Sequence, residues 1–257
     1  MNTSLYLTAF RTIVIKEVSR FARIWIQTIL PPAVSMTLYF VIFGNLIGPR
    51  IGQMDGFSYI QYIAPGIIMM SIINSSYANV VSSFFGAKFQ RHIEEMLVAP
   101  IPNIIILSGY ITGGVARGMM VGLVVTLVAL FFTELHIEHP LIVITVVLLT
   151  STLFSLAGFI NGIFARKFDD IAIIPSFVLT PLIYLGGVFY SINLLPDFWQ
   201  FVSKLNPIFY MVNAFRYGML GVSDINIQSA LAIISIFTVA LFSLCLYLLN
   251  KGVGIKS

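Results

Sequence analysis

Residues 140–165 read PLIVITVVLLTSTLFSLAGFINGIFA, a run with no Lys, Arg, Asp, Glu or His anywhere in it. A helix needs about 20 mostly apolar residues to cross a bilayer core. Lipid offers no partner for backbone N–H and C=O groups, so such a run must satisfy them internally, as a helix does. Five further stretches have the same character: Ile24–Ile47, Tyr59–Phe84, Asn103–Phe132, Ile171–Tyr190 and Ile227–Asn250. The chain of 257 residues is 58% hydrophobic and 9% charged, against about 25% charged in a soluble domain. These observations predict an all-α membrane protein with six transmembrane helices, organised as one domain over residues 1–257.

The net charge is +4, but the cations gather at the flanks of the apolar runs rather than on a soluble face, which argues against nucleic acid as a partner. With the N-terminus inside, Arg11, Lys16, Arg20, Arg23, Lys88, Arg91, Arg166, Lys167, Lys251 and Lys256 lie on the cytoplasmic side. Arg50, Lys204 and Arg216 lie outside, and Arg117 falls within the third span near its inner end, where it can snorkel. Six spans then return both termini to the cytoplasm. The apolar run after Arg23 is too long for the core of a cleavable signal. Cys245 lies within the last span and reads as a packing residue.

Residues 5–22 form an amphipathic helix expected at the membrane surface, with Tyr6, Phe10, Ile13, Val14 and Phe21 on one side. Glu17 interrupts that side, which suggests contact with another protein. Pro31 and Pro32 should kink the first span. Asn74, Ser75, Ser76, Tyr77 and Asn79 in the second span face other helices or a cavity. Residues 86–99, GAKFQRHIEEMLVA, carry the densest charge in the chain and predict a short cytoplasmic helix, within which Arg91 and Glu95 can pair. Its exposed apolar and charged residues suit a docking surface. The third span presents Gly114, Gly118 and Gly122 on one face, where a helix can approach closely. Residues 191–226 should be an outer loop, yet they are apolar and cut by Pro196 and Pro207 into pieces too short to cross. They predict a re-entrant hairpin in the outer leaflet.

The spans hold no Asp, Glu or His at their cores, so a proton relay or carboxylate ion site is not expected. There is no Walker A sequence, no HExxH, no GxSxG and no Cys/His cluster. Any use of ATP therefore needs a partner, and the chain itself is not expected to be an enzyme. Uncharged spans suit an amphipathic cargo better than a bare ion, which needs compensating ligands.

The surface helix, the charged segment Gly86–Pro100, and the stretch Leu179–Gly221 then carry a resemblance. That stretch reads LTPLIYLGGVFYSINLLPDFWQFVSKLNPIFYMVNAFRYGMLG. With its proline-bearing fifth span, GG-x-FY end, LP, NP and FRYG, the chain resembles the membrane subunit of an ATP-binding-cassette type-2 exporter permease. It is most similar to short bacterial members encoded apart from their ATPase. The resemblance implies a homodimer in the bacterial inner membrane that binds two copies of a separate ATPase subunit, on which ATP and Mg would act. It implies a coupling helix at 86–99, with Phe89, Arg91, Glu94, Glu95 and Met96 as ATPase contacts and Glu17 as a further one. It implies a substrate cavity touched by Asn74, Tyr77, Phe177, Thr180 and Tyr184, and an outer gate near Phe189, Tyr190 and Leu195. The cargo would be lipid-like, drug-like or a glycan. Two other readings stay open: a scaffold that anchors a cytoplasmic ATPase without transport, and a membrane-embedded lipid enzyme, disfavoured by the missing acid–base pair.

Overall fold

The computed structural model describes residues 3–254; Lys256, counted above with the inner cations, lies outside them. The first helix, α1, spans Thr3–Arg23, and α2 follows over Trp25–Ile51. Pro31 and Pro32 lie inside α2, and Phe40–Ile47 winds as a wider π-helix. A tight hairpin of β1, Gln53–Met54, and β2, Phe57–Ser58, turns the chain at Asp55 and Gly56, both at positive φ. An Asp-Gly pair is the local chemistry that favours this turn. The Ser58 N–H donates to Gln61 Oε1 at 3.1 Å and starts α3, Tyr59–Phe89.

After α3 come α4, His92–Val98; α5, Asn103–Ala129; and α6, Pro140–Phe164. The chain then forms α7, Asp170–Leu185; α8, Asp197–Lys204; α9, Pro207–Leu220; and α10, Ile227–Lys251. The molecule is a helical membrane bundle, as expected from composition. Five of these helices, α2, α3, α5, α6 and α10, are long and apolar enough to cross a bilayer. The expected span Ile171–Tyr190 is shorter than predicted: α7 has 16 residues and ends at Leu185. That is about 24 Å of helix, against a core of about 30 Å. The physical reason lies in the sequence, since Pro175 opens a π turn and Gly187, at φ 74°, leaves helical space.

The central helix is α3, enclosed by α5, α6 and α9, with α1 packed on α5 and reaching α3 through Glu17 and Arg20. Its N-terminal half packs Tyr62, Ile67 and Met69 with Val125, Val146 and Phe215. Its C-terminal half packs Val80 and Phe84 with Ile13, Tyr110, Phe159 and Leu248. Phe84 sits 4.1 Å from Phe159, centroid to centroid, and edge-on to Tyr110 at 5.5 Å. Cys245 is buried in this second core. Close approach depends on the glycine face of α5. A Cβ at Gly118 would collide with Ser76 Oγ of α3, and one at Gly114 with Ser155 Oγ of α6. Outward faces of α2, α7 and α10 expose Leu30, Val34, Ile173, Phe177, Ile236 and Val239, a surface for lipid or for other helices rather than for water.

Candidate functional site

At its C-terminal end α3 runs through Phe89, and Arg91 then takes a left-handed conformation at φ 62° before α4 begins. The expected helix over 86–99 is therefore two pieces: Gly86–Phe89 continues α3, and only His92–Val98 stands apart. The expected Arg91–Glu95 pair is not among the ion pairs of the described residues. A left-handed residue preceding the helix does not place its side chain on the i,i+4 face. Ile93 is buried in the core around Phe84 and pins α4, while Arg91, Glu94 and Glu95 are exposed. Met96 is half-buried, its Sδ 3.9 Å from the Tyr110 hydroxyl.

Phe89 is 60% exposed, and its ring meets Phe168 of the α6–α7 loop at 5.1 Å. Phe168 extends the surface and was not anticipated from its position in a short charged loop. Beneath them Lys88 Nζ donates to the carbonyls of Ile163 and Ala165, capping the C-terminus of α6. The Asp170 carboxylate accepts from the N–H groups of Arg166 and Lys167 at 2.8 and 3.0 Å, which closes the loop. The result is a braced patch of Phe89, Arg91, Glu94, Glu95 and Phe168 at one end of the bundle.

Glu17 does not belong to that patch. It is fully buried in the groove between α3 and α5, against Gly113. Ser83 Oγ donates to it at 2.6 Å, and Arg20 Nη2 lies 3.4 Å away. Arg20 Nη2 also donates to the Asn79 carbonyl and to its Oδ1, at 2.9 and 2.8 Å. The contact foreseen with another protein is thus made inside the chain, where an unpaired carboxylate would be costly. Arg117 is half-buried.

Of the cavity candidates, Asn74 lines a cleft of about 320 Å³ together with Pro31, Pro32, Met36 and Tyr39. Tyr184 adjoins through its hydroxyl, 3.3 Å from that of Tyr39. Phe177, 77% exposed, and Thr180 stand on the open face of α7 outside the cleft. Thr180 donates to the Pro175 carbonyl at 2.9 Å, a carbonyl beside the π turn. Tyr77 is a correction: it is buried on another side of α3, where Asn161 Nδ2 of α6 donates to its hydroxyl at 2.7 Å.

At the other end, Phe189 is buried between Phe43 at 4.9 Å, Tyr39 at 5.6 Å and Tyr184 at 5.8 Å. The Tyr190 hydroxyl donates to the Tyr184 carbonyl at 2.9 Å. Leu195 is half-buried, its carbonyl taken by Gln200. The piece expected as one hairpin over 191–226 consists of α8, which exposes Phe198, Trp199 and Phe201, and the buried α9. Arg216, counted above as an outer cation, is almost wholly buried. Its guanidinium lies over the Tyr62 ring at 4.0 Å, donates to the Gly187 carbonyl at 2.6 Å and sits 4.0 Å from Asp224. Asp224 also accepts from Ser191 Oγ at 2.7 Å. FRYG and an Asp eight residues later are the sequence signal, visible only once their burial is known.

This architecture, a lipid-exposed helical bundle with a braced patch of apolar and charged side chains at one end, defines a polytopic helical membrane protein. A family model described as ABC-2 type transporter matches residues 8–220, and the chain belongs to that family. It is 56% identical over 253 residues to the inner membrane transport permease YadH of Escherichia coli K12, covering 98% of this chain and 99% of that protein. It is 23% identical over 227 residues to nodulation protein J of Rhizobium leguminosarum bv. viciae, covering 88% of each. The protein is accordingly a multi-pass inner membrane permease of ABC-2 type.

Proposed function

We propose that this permease works as a homodimer that exports an amphipathic, lipid-like cargo, driven by ATP and Mg on two copies of a separate ATPase subunit. The observation that carries the reading is the patch at the end of α3. Phe89 is exposed, as are Arg91, Glu94 and Glu95, while Ile93, Lys88 and Phe168 hold their backbone in place. A rigid patch of mixed apolar and charged groups is what a docked partner requires. Both termini would lie in the cytoplasm, with α7 completing a sixth crossing and α8 and α9 entering the outer leaflet. Asn74 and Tyr184, around the cleft at Tyr39, would touch cargo, with Phe177 and Thr180 joining where a second copy faces α7. Phe189, Tyr190 and Leu195 would close the outer side. Phe189 is already enclosed by aromatic rings, which supports a closed outer gate in this conformation.

The test is purification of the intact complex from its own membrane with a double variant, Glu94→Arg plus Glu95→Arg. The variant should insert normally and lose the Walker-A-bearing subunit. Retention of that subunit in full would remove the docking assignment. Native mass spectrometry of the unaltered complex should give two copies of each chain. A complex that binds the ATPase but moves no lipid-like cargo in vesicles would favour the scaffold reading.

A further inference from the structure

Where α1 packs against α5, the structure collects positive charge without matching negative charge. The two helices run side by side: Ile13 meets Gly109 and, one turn on, Glu17 meets Gly113. The next turn brings Arg20 to the level of Arg117. One carboxylate, Glu17, faces the pair, and it is already engaged by Ser83 and Arg20. Neither ion pair among the described residues involves Arg117.

Three N–H donors at this spot are buried without an acceptor: Arg20 Nε, Arg117 Nε and Asn79 Nδ2. A buried donor without a partner calls for a water, an ion or a ligand. Three donors beside two guanidiniums and one carboxylate call for an anion. Both arginines are half-buried while Asn79 is fully buried, so a headgroup would reach the site from the arginine side. It also lies near the start of the first span: α1 ends at Arg23, and Trp25, 58% exposed, opens that span.

We propose that Arg20, Arg117 and Asn79 form a binding site for a phosphate group, carried by an anionic lipid of the inner leaflet. Guanidinium groups bind phosphate oxygens in paired, charge-assisted hydrogen bonds, and basic recesses between helices on the cytoplasmic side suit such headgroups. The site stands independently of export and of ATPase docking, because none of its residues belongs to the patch at α4.

The test uses the full chain in detergent, with phosphatidylglycerol and diacylglycerol of the same acyl chains added in turn, read by native mass spectrometry. The unaltered chain should retain phosphatidylglycerol and not diacylglycerol. Arg117→Gln should weaken that retention about tenfold, the lower end for one charge-assisted bond, while substitution of an exposed cation on α1, Arg11→Gln, should not. If Arg117→Gln fails to fold, Arg117→Lys serves, since it keeps the charge, loses the fork and should still retain less lipid. Millimolar inorganic phosphate added alone separates the sources. If it leaves retention untouched, the phosphate is lipid-borne; if it displaces the lipid and raises the melting temperature only with Arg117 present, the phosphate site stands with a soluble carrier. Equal retention of the two lipids, or unchanged retention in both Arg117 variants, would overturn the proposal.

Discussion

Arg216 and Asp224 are the clearest case of single residues whose surroundings decide their meaning. Both are buried, and each holds several groups besides the other, including Gly187, Tyr62 and Ser191. Removing one partner strands the other charge, at a cost of about 3–5 kcal/mol. Asp224→Leu and Arg216→Met should each lower the melting temperature in detergent strongly, and the double variant Arg216→Met with Asp224→Leu should recover part of the loss. A double variant no better than the sum of the singles would argue that the pair does not act as a unit. Glu17 is a parallel case. Glu17→Ala should destabilise by about 1–3 kcal/mol through the orphaned Ser83 and Arg20 and leave affinity for the ATPase unchanged; a lost affinity at an unchanged melting temperature would return Glu17 to the docking surface. Neither burial could be read in advance. A carboxylate on the apolar side of a helix suits a partner protein as well as a second helix, and only the 2.6 Å contact with Ser83 distinguishes them. Arg216 follows the same logic, since loop cations count toward topology until a loop proves to be packed.

At the scale of elements, patterns of small and apolar residues were readable and backbone breaks were not. The Gly114–Gly118–Gly122 face of α5 follows from spacing alone, and the structure brings Ser155, Ser76 and Ile72 onto it. Gly118→Leu would drive a side chain into Ser76, so it should cost about 1–3 kcal/mol or more; thermal melting of the purified chain measures it, and an unchanged midpoint would mean that α3 and α5 can separate at no cost. The division of residues 86–99 was hidden because its breaking residue is Arg91, not a glycine or proline. Helical periodicity continues across it, and no local rule places an arginine at positive φ. Tyr77 was misplaced for a related reason. Six consecutive residues of a helix face every direction, so a polar cluster from 74 to 79 does not reveal which member faces a cleft and which faces Asn161.

For the whole molecule, class and membrane character were legible because lipid sets a length threshold that composition alone can meet. The count of crossings is less direct, since α7 falls short of that threshold and the orientation of everything after it depends on whether it crosses. Single cysteines settle this against a quiet background, because the native Cys245 is buried. A cysteine at Glu94 and one at Lys251 should react with an impermeant maleimide from the cytoplasmic side, and one at Asp197 from the opposite side. Reaction of Asp197→Cys and Glu94→Cys from the same face would exclude the six-crossing arrangement. The length of α3 bears on the same question of sides. It is a single helix of 31 residues, about 46 Å, with Tyr59 bonded to the Phe189 carbonyl at one end and Phe89 against Phe168 at the other. A lever of that length, tilted by about 5°, sweeps its tip through about 4 Å, comparable to the radius of a side-chain contact. The aromatic enclosure around Phe189 and the charged patch below α4 therefore share one stiff rod, and neither can be displaced along it without the other registering the movement.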